Sequence, residues 1–358
     1  MASNSFGTIF RITTWGESHG PCIGCCVDGC PAGLALSCDE MNAALAQRRG
    51  GRNSYVSARR EDDKVELLSG VFEGKTTGAP IAFVIWNRDV DSSKYEALKG
   101  LLRPGHANFT YLEKYGIFDW RGGGRASARE TVVRVAAGAI AEKLLQSIGV
   151  KIVAYVQAIG GIEATAQDDD IMQNPLFCPD REASQKMMKL LDEAKETGDS
   201  LGGVVECVAE GVPPGLGDPI YDKLDAKLAY AVMSLPASKA FEIGEGVAAS
   251  RMRGSTHNDA FIMNEERVSC TSNHAGGLLG GITTGLPIVF RTHFKPTSSI
   301  PKQQKTVDLS GSEVTCSLPE GSRHDPTVVI RAVPVVKAMG ALVLADSWLY
   351  SRCNKLNI

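Results

Sequence analysis

A chain of 358 residues with 43% hydrophobic and 22% charged side chains has the make-up of a soluble globular protein, and one compact body of that length buries about 75% of its unfolded surface. Its formal charge of −3 gives the molecule as a whole no pull on nucleic acid. No apolar run reaches the ~20 residues of a membrane span, and Met1-Ala2-Ser3-Asn4 lacks the basic and apolar regions of a secretory signal.

Ten cysteines raise the question of disulfides or metal. Cys22, Cys25, Cys26, Cys30 and Cys38 cluster early, but only His19 lies near them, and they do not form two Cys-x-x-Cys pairs. No metal site is expected. Reduced thiols buried in strands, in a cytoplasmic setting, fit the pattern.

In chain order, Trp15-Gly16-Glu17-Ser18-His19-Gly20-Pro21 reads as a loop of small and polar residues. His19 there is either a structural ring or a general acid, since histidine titrates near neutrality. The Gly-x-Ser-x-Gly spacing also matches a serine-hydrolase elbow, without the buried-strand-to-helix context that an elbow needs. After the turn at Gly29, Ser37 and Glu40 predict a capping box, and Met41, Ala44 and Leu45 share one helix face. Arg48, Arg49 and Arg52 follow. Arg59 and Arg60, beside Glu61-Asp62-Asp63, read as a solvated face.

A strand is expected over Ile81–Trp86, then a loop carrying Arg103-Pro104-Gly105-His106, where His106 poses the same choice as His19. The stretch Arg121-Gly122-Gly123-Gly124-Arg125-Ala126-Ser127-Ala128-Arg129-Glu130-Thr131 is the most informative. Its glycines let backbone approach a ligand, and Ser127 with Glu130 predicts a second capping box opening a helix that ends near Gly149. A helix N-terminus flanked by arginines suits an anion, because guanidinium forks match carboxylate and phosphate. Neither a P-loop nor a strand–GxGxxG–helix unit is present. Residues 163–199 are acidic and predict one amphipathic helix around Met187, Leu190, Leu191 and Ala194, with no counterpart earlier; they read as a peripheral insertion.

Three segments recur in order. Val27-Asp28-Gly29-Cys30-Pro31-Ala32-Gly33-Leu34 matches Ala209-Glu210-Gly211-Val212-Pro213-Pro214-Gly215-Leu216. Gly74-Lys75-Thr76-Thr77-Gly78-Ala79-Pro80-Ile81 matches Gly281-Ile282-Thr283-Thr284-Gly285-Leu286-Pro287-Ile288. Thr131-Val132-Val133 and Thr327-Val328-Val329 each open a long apolar helix bearing Arg134 or Arg331. These matches predict two related α+β halves, about 1–150 and 200–358, packed as one unit, so that 1–358 is a single domain. The mixture of strands and helices disfavours a doubly wound parallel sheet. Lys295-Pro296-Thr297-Ser298-Ser299 offers hydroxyls and an ammonium to a phosphate or a flavin edge, or is an ordinary turn. Arg323-His324-Asp325-Pro326 precedes the last helix at the place matching the Arg125–Arg129 loop, so two loops are expected to converge on one site.

Gly16-Glu17-Ser18-His19-Gly20, Arg103-Pro104-Gly105-His106, Arg121-Gly122-Gly123-Gly124-Arg125 and Arg323-His324-Asp325-Pro326 together resemble the chorismate synthase family, over essentially the whole chain. The resemblance implies a β-α-β sandwich, a homotetramer, and trans-1,4-elimination of phosphate from 5-enolpyruvylshikimate 3-phosphate. Reduced FMN would be required without net redox change, with NADPH as ultimate reductant. It implies that His19 assists the departing phosphate, that His106 stands beside flavin N1, and that Asp325 relays the proton taken from substrate C6. FMN contacts would come from Arg125, Ala126, Ser127, Gly280, Lys295, Pro296, Thr297, Ser298, Ser299 and Arg323, with Pro236 and Ala237 nearby. Arg48, Arg103 and Arg129 would hold substrate phosphate and carboxylates.

In one departure, many relatives carry an arginine where this chain has Ser54, leaving open whether Arg52 substitutes in NADPH binding. The compact length favours flavin supplied by a separate reductase. Two rival readings are a polyanion-binding module, weakened by 6% aromatics and the acidic balance, and a serine hydrolase resting on Ser18 alone.

Overall fold

The computed structural model describes residues 3–57, 61–165, 170–265, 267–318 and 325–356. The first half of the chain supplies β1 (Ser5–Phe6), β2 (Arg11–Gly16), β3 (Cys22–Asp28), α1 (Cys38–Arg48), β4 (Val65–Leu67), the hairpin of β5 (Val71–Phe72) and β6 (Lys75–Thr76), β7 (Ile81–Trp86), α2 (Asn108–Tyr115) and α3 (Thr131–Gln146). The second half supplies β8 (Lys151–Ile159), β9 (Ile162–Glu163), α4 (Arg181–Glu196), β10 (Gly203–Glu210), α5 (Leu224–Met233), β11 (Ser238–Ile243) and α6 (Gly254–His257). It continues through three hairpins and one long strand: β12 (Phe261–Asn264) with β13 (Arg267–Cys270), β14 (Leu278–Leu279) with β15 (Ile282–Thr283), β16 (Ile288–Phe294), and β17 (Gln304–Val307) with β18 (Glu313–Cys316). The last helix is α7 (Val329–Ser351).

One five-stranded sheet runs β1-β2-β3-β7-β4 and the other β11-β16-β10-β8-β9, with antiparallel neighbours throughout. The order β2-β3-β7-β4 corresponds strand for strand to β8-β10-β16-β11, with α1 and α5 at the same place in each chain order. The repeated turns carry the same hydrogen bonds. Thr76 Oγ1 donates to Pro31 O (2.7 Å) and accepts from Leu34 N (2.9 Å). Thr283 Oγ1 donates to Pro213 O (2.7 Å) and accepts from Leu216 N (2.8 Å). A threonine hydroxyl satisfies two backbone groups of a tight loop in each half, which is why Thr recurs there. The fold is thus a β-α-β sandwich of two related halves.

Helices fill the layer between the sheets. α3 lies on β3 and against α7, while α7 lies on β8 and β10. An apolar surface all round is what a fully enclosed helix needs, and α7 is buried from Val329 to Ser347 apart from Arg331 and Lys337. The helices approach closely because Gly138 has no side chain: a Cβ there would stand 2.4 Å from Ala338 Cβ. Late in α7, Asp346 accepts the backbone N–H groups of Thr8, Ile9 and Phe10 at 2.7–3.1 Å, tying the approach to β2 to the last helix.

Local signals held unevenly. The α1 capping box forms, with Ser37 N donating to Glu40 Oε2 (3.0 Å) and Glu40 N to Ser37 Oγ (3.4 Å). The box expected at Ser127 and Glu130 does not. Ser127 Oγ accepts from Arg129 N (3.3 Å) and caps a 3-10 turn before α3, while Glu130 pairs with Arg134 at 2.9 Å. Residues 163–199 are also less peripheral than expected. Leu176, Phe177 and Cys178 are buried, Val156 N donates to Phe177 O (3.0 Å), and Met187 and Leu191 of α4 reach the core. Glu61 and Asp63 are buried rather than solvated, because each answers partners distant in sequence; Arg59 and Arg60 lie outside the described residues. All ten cysteines are free thiols, and among the described residues no helix is long and apolar enough to cross a membrane.

Candidate functional site

Side by side in the central layer, α3 and α7 begin at the same cavity of about 420 Å³. That is the size range of a small-molecule site. Ala126, Ser127, Ala128 and Arg129 approach it just before α3; Asp325, Val328 and Arg331 line it at the start of α7. Two helix N-termini bring two partial positive charges to one place, so the cavity favours an anion before any side chain is counted.

His19 lies in the turn between β2 and β3, half-buried, and lines the cavity. Ser18 Oγ stands 3.2 Å from His19 Nδ1, and Tyr95 meets the imidazole in a T-shaped contact with centroids 5.4 Å apart. Gly122, at φ +64°, runs directly against the ring: a Cβ there would stand 2.1 Å from His19 Cε1 and Nδ1. Gly123, at φ +89°, does the same for the second histidine, with an added Cβ 3.2 Å from His106 Cε1. Two glycines of the triplet thus bring backbone against both rings. Ser18 sits in a strand–turn–strand context, so the hydrolase elbow is absent and its steric logic with it.

His106 is fixed by its own loop and by the second half. Arg103 Nη2 is 2.7 Å from Nε2 and 3.0 Å from Nδ1 of the ring, and Phe118 covers it edge-on. Burial first, then the Arg103 and Lys295 cations, push the imidazole down to about 3, so it is neutral at physiological pH. Lys295 Nζ donates to Gly105 O (2.8 Å) and Ser298 Oγ (2.7 Å), and Ser298 Oγ donates to Gly105 O (2.8 Å), clasping the 295–299 loop to the Arg103–His106 loop. Burial and Lys239 lower the Lys295 ammonium. The β17–β18 hairpin braces the same loop, with Leu102 N donating to Val307 O (3.0 Å).

Behind the rim lies a guanidinium cluster. Arg129 pairs with Asp63 and donates from Nε to Asn87 Oδ1 (2.9 Å). Arg48 donates from Nε to Thr131 Oγ1 (2.9 Å) and from Nη2 to Ala128 O (2.6 Å), and its Nη1 is 3.9 Å from Asp63. Burial, then Arg331, depress Arg48 below its ordinary value. Among the described residues, Arg48 Nη1, Arg129 Nη2 and Thr297 Oγ1 are buried without a hydrogen-bond partner. Such groups cost about 1–3 kcal/mol each when left so, more when charged, and an anionic ligand would satisfy them. Asp325 completes the wall: Oδ1 accepts from Ser57 N (2.6 Å) and Oδ2 from Arg331 Nη1 (3.0 Å).

The cavity therefore gathers His19, His106, Asp325, Arg103, Arg129, Ala126, Ser127, Pro236, Ala237 and residues 295–299. Arg48 is packed behind the wall instead of lining it. Arg125 does not face the cavity; its guanidinium donates to Gly16 O (3.2 Å), Asn4 Oδ1 (3.1 Å) and Thr14 Oγ1 (2.9 Å), bracing β2. Gly280, in the β14–β15 turn, does not line it either, and Arg323 lies outside the described residues. Asp63, Tyr95 and Arg331 line the cavity although the sequence reading gave them no role.

A family model described as chorismate synthase matches residues 10–349. The chorismate synthase of Protochlamydia amoebophila (strain UWE25) is 55% identical over 100% of both chains. That of Methanosarcina mazei is 52% identical over 98% of this chain and 97% of its own. A solved structure titled as a crystal structure of chorismate synthase superposes with a TM-score of 0.77 at 33% identity, covering 97% of this chain and 93% of that one.

Proposed function

The chain belongs to the chorismate synthase family, and on that premise we propose that the cavity at the N-termini of α3 and α7 is where its elimination takes place. The enzyme is a lyase: 5-enolpyruvylshikimate 3-phosphate loses phosphate in a trans-1,4-elimination and becomes chorismate. A C6–H bond and the C3–O bond to phosphate both break, and the ring gains one double bond, with no net redox change. The observation that carries the site assignment is the meeting of both histidines, Asp325, Arg103 and Arg129 in one cavity.

Reduced FMN, when bound, lends and recovers electron density during the elimination. The residues fit such a group: Ala126, Pro236, Ala237, Pro296 and Val328 offer apolar wall, the Thr297 hydroxyl and Lys295 offer polar contacts, and His106 is held neutral between cations. A neutral ring beside Arg103 and Lys295 stabilises negative charge without competing for its proton. His19 donates a proton to the departing phosphate. Arg103 and Arg129 bind the substrate's phosphate and carboxylates, where planar forks are the suited donors, and Arg48 backs them from behind the wall through Asp63 and Ala128. Asp325 takes up the proton that originates at C6. His106→Ala is expected to weaken reduced FMN relative to oxidised FMN, read by anaerobic titration; equal weakening of both would remove its role at flavin N1.

NADPH serves as ultimate reductant through a separate flavin reductase. Arg52 donates to Met172 O (3.0 Å) and stacks 3.8 Å over Phe177. The enzyme works in the cytoplasm as a homotetramer; the β12–β13 hairpin, with Phe261, Ile262, Met263 and Val268 exposed, supplies an apolar surface for assembly. The deciding assay is anaerobic. With dithionite-reduced FMN the protein should release phosphate from 5-enolpyruvylshikimate 3-phosphate and form chorismate. Turnover without flavin, or none with it, would overturn the proposal.

A further inference from the structure

Asp325 is the carboxylate in this cavity that the proposed mechanism charges with receiving a proton. An acceptor must be ionised beforehand and must keep one lone pair aimed at the donor. Its two oxygens are held by different means. Ser57 N gives Oδ1 a neutral backbone hydrogen bond at 2.6 Å. Arg331 Nη1 gives Oδ2 a charge-assisted one at 3.0 Å, with both side chains mostly shielded from solvent. The charged partner gives the stronger and more directional of the two hydrogen bonds.

Arg331 is itself fixed. It stands in the first turn of α7, and its Nε donates to Arg48 O at 3.1 Å, the carbonyl of the last residue of α1. That carbonyl is at the negative end of α1, the favourable place for a guanidinium. One fork thus spans from the end of a first-half helix to the carboxylate at the start of a second-half helix. Its geometry is set from the Nε side and delivered from the Nη side.

We infer that Arg331 is a positioning residue for the elimination, orienting the Asp325 carboxylate so that it can accept the proton. This rests on the assignment of Asp325 as proton acceptor, and the test separates the two. The variants are Arg331→Met, Arg331→Lys, Asp325→Asn and the double variant. Each is assayed anaerobically with reduced FMN and with protiated and C6-deuterated substrate. Arg331→Met should lower kcat about 10–100-fold, leave the substrate KM unchanged, and enlarge the isotope effect. Arg331→Lys, which keeps the charge but not the fork, should recover part of the rate with an isotope effect between the two. Added to Asp325→Asn, Arg331→Met should cost nothing more, since it acts only through that carboxylate.

Parent-like kcat in Arg331→Met beside a slow Asp325→Asn would overturn the inference alone. So would a rise in KM matching the loss of kcat/KM, which would make Arg331 a substrate ligand, or additive losses in the double variant. Parent-like turnover of Asp325→Asn would instead remove the acceptor role and the inference with it. Should Arg331→Met fail to fold, as judged by its melting transition, Arg331→Lys carries the test: an unchanged kcat and isotope effect there would be decisive against it.

Discussion

His19→Ala is expected to lower turnover by about 10²–10⁴-fold, the usual worth of a positioned general acid, while reduced FMN binds with near-parental affinity. The ring lines the cavity between Ser18, Tyr95 and the backbone of Gly122, apart from the clasp of Arg103, Lys295 and Ser298 around His106. Removing it takes away the proposed proton donor and leaves the neighbourhood proposed for flavin intact. Single-turnover phosphate release with reduced FMN in excess measures the loss. A comparable fall in flavin affinity would place His19 among the cofactor's contacts rather than at the phosphate.

Gly122→Ala should cost nearly as much, by displacing the same ring instead of deleting it. The added methyl would stand 2.1 Å from His19 Cε1 and Nδ1 and 2.9 Å from Ser18 Oγ, and the residue sits at φ +64°. Backbone cannot yield easily there, so the imidazole must swing out. Misplacing a catalytic group by about 1 Å can cost 10²-fold, and that is the expected loss in kcat. Part of any effect is generic strain of a left-handed non-glycine residue, roughly 1–2 kcal/mol. Gly116→Ala separates it, since φ is +71° there and, among the described residues, no atom beyond the adjoining backbone lies within 4 Å of the new Cβ. Gly116→Ala should therefore lower the melting temperature without lowering kcat. Equal turnover for Gly122→Ala and the parent would mean that the ring's position is not what the triplet of glycines protects.

Much of this arrangement was legible because the chain states it twice. The recurrence of Gly29 with Gly211 and Thr76 with Thr283 marks loops whose backbone geometry allows few residues, so duplication stayed visible there. The cavity loops were legible for a related reason: glycine and histidine beside arginine, with no apolar periodicity, leave few bland readings. What failed was anything decided by a partner far along the chain. Asp63 looks like part of an acidic surface run until Arg129, from the loop before α3, reaches it. Arg125 looks like a ligand arginine until it turns back to Thr14 and Asn4. Arg48 carried a usable signal: it follows Met41 and Leu45 at helical spacing on the buried face of α1, where a charge is present only if something pairs with it.

The cavity draws its walls from residues 19, 103, 105–107, 122, 126–129, 236–237, 295–299, 325, 328 and 331, so neither half of the chain contains it. Chain closure over such separations is slow, and the loops before α3 and α7 must wait for both halves of the chain before they can meet around the cavity. The pocket is therefore a late product of folding, and a fragment ending near residue 150 should bind no ligand even if its own sheet forms. The converse holds for the finished enzyme. A ligand seated there bridges both halves, so its binding free energy adds to the stability of the whole chain by mass action. With the proposed site occupied, substrate and cofactor would act as staples on the fold, and a cell short of either would hold a pool of this enzyme that unfolds more readily.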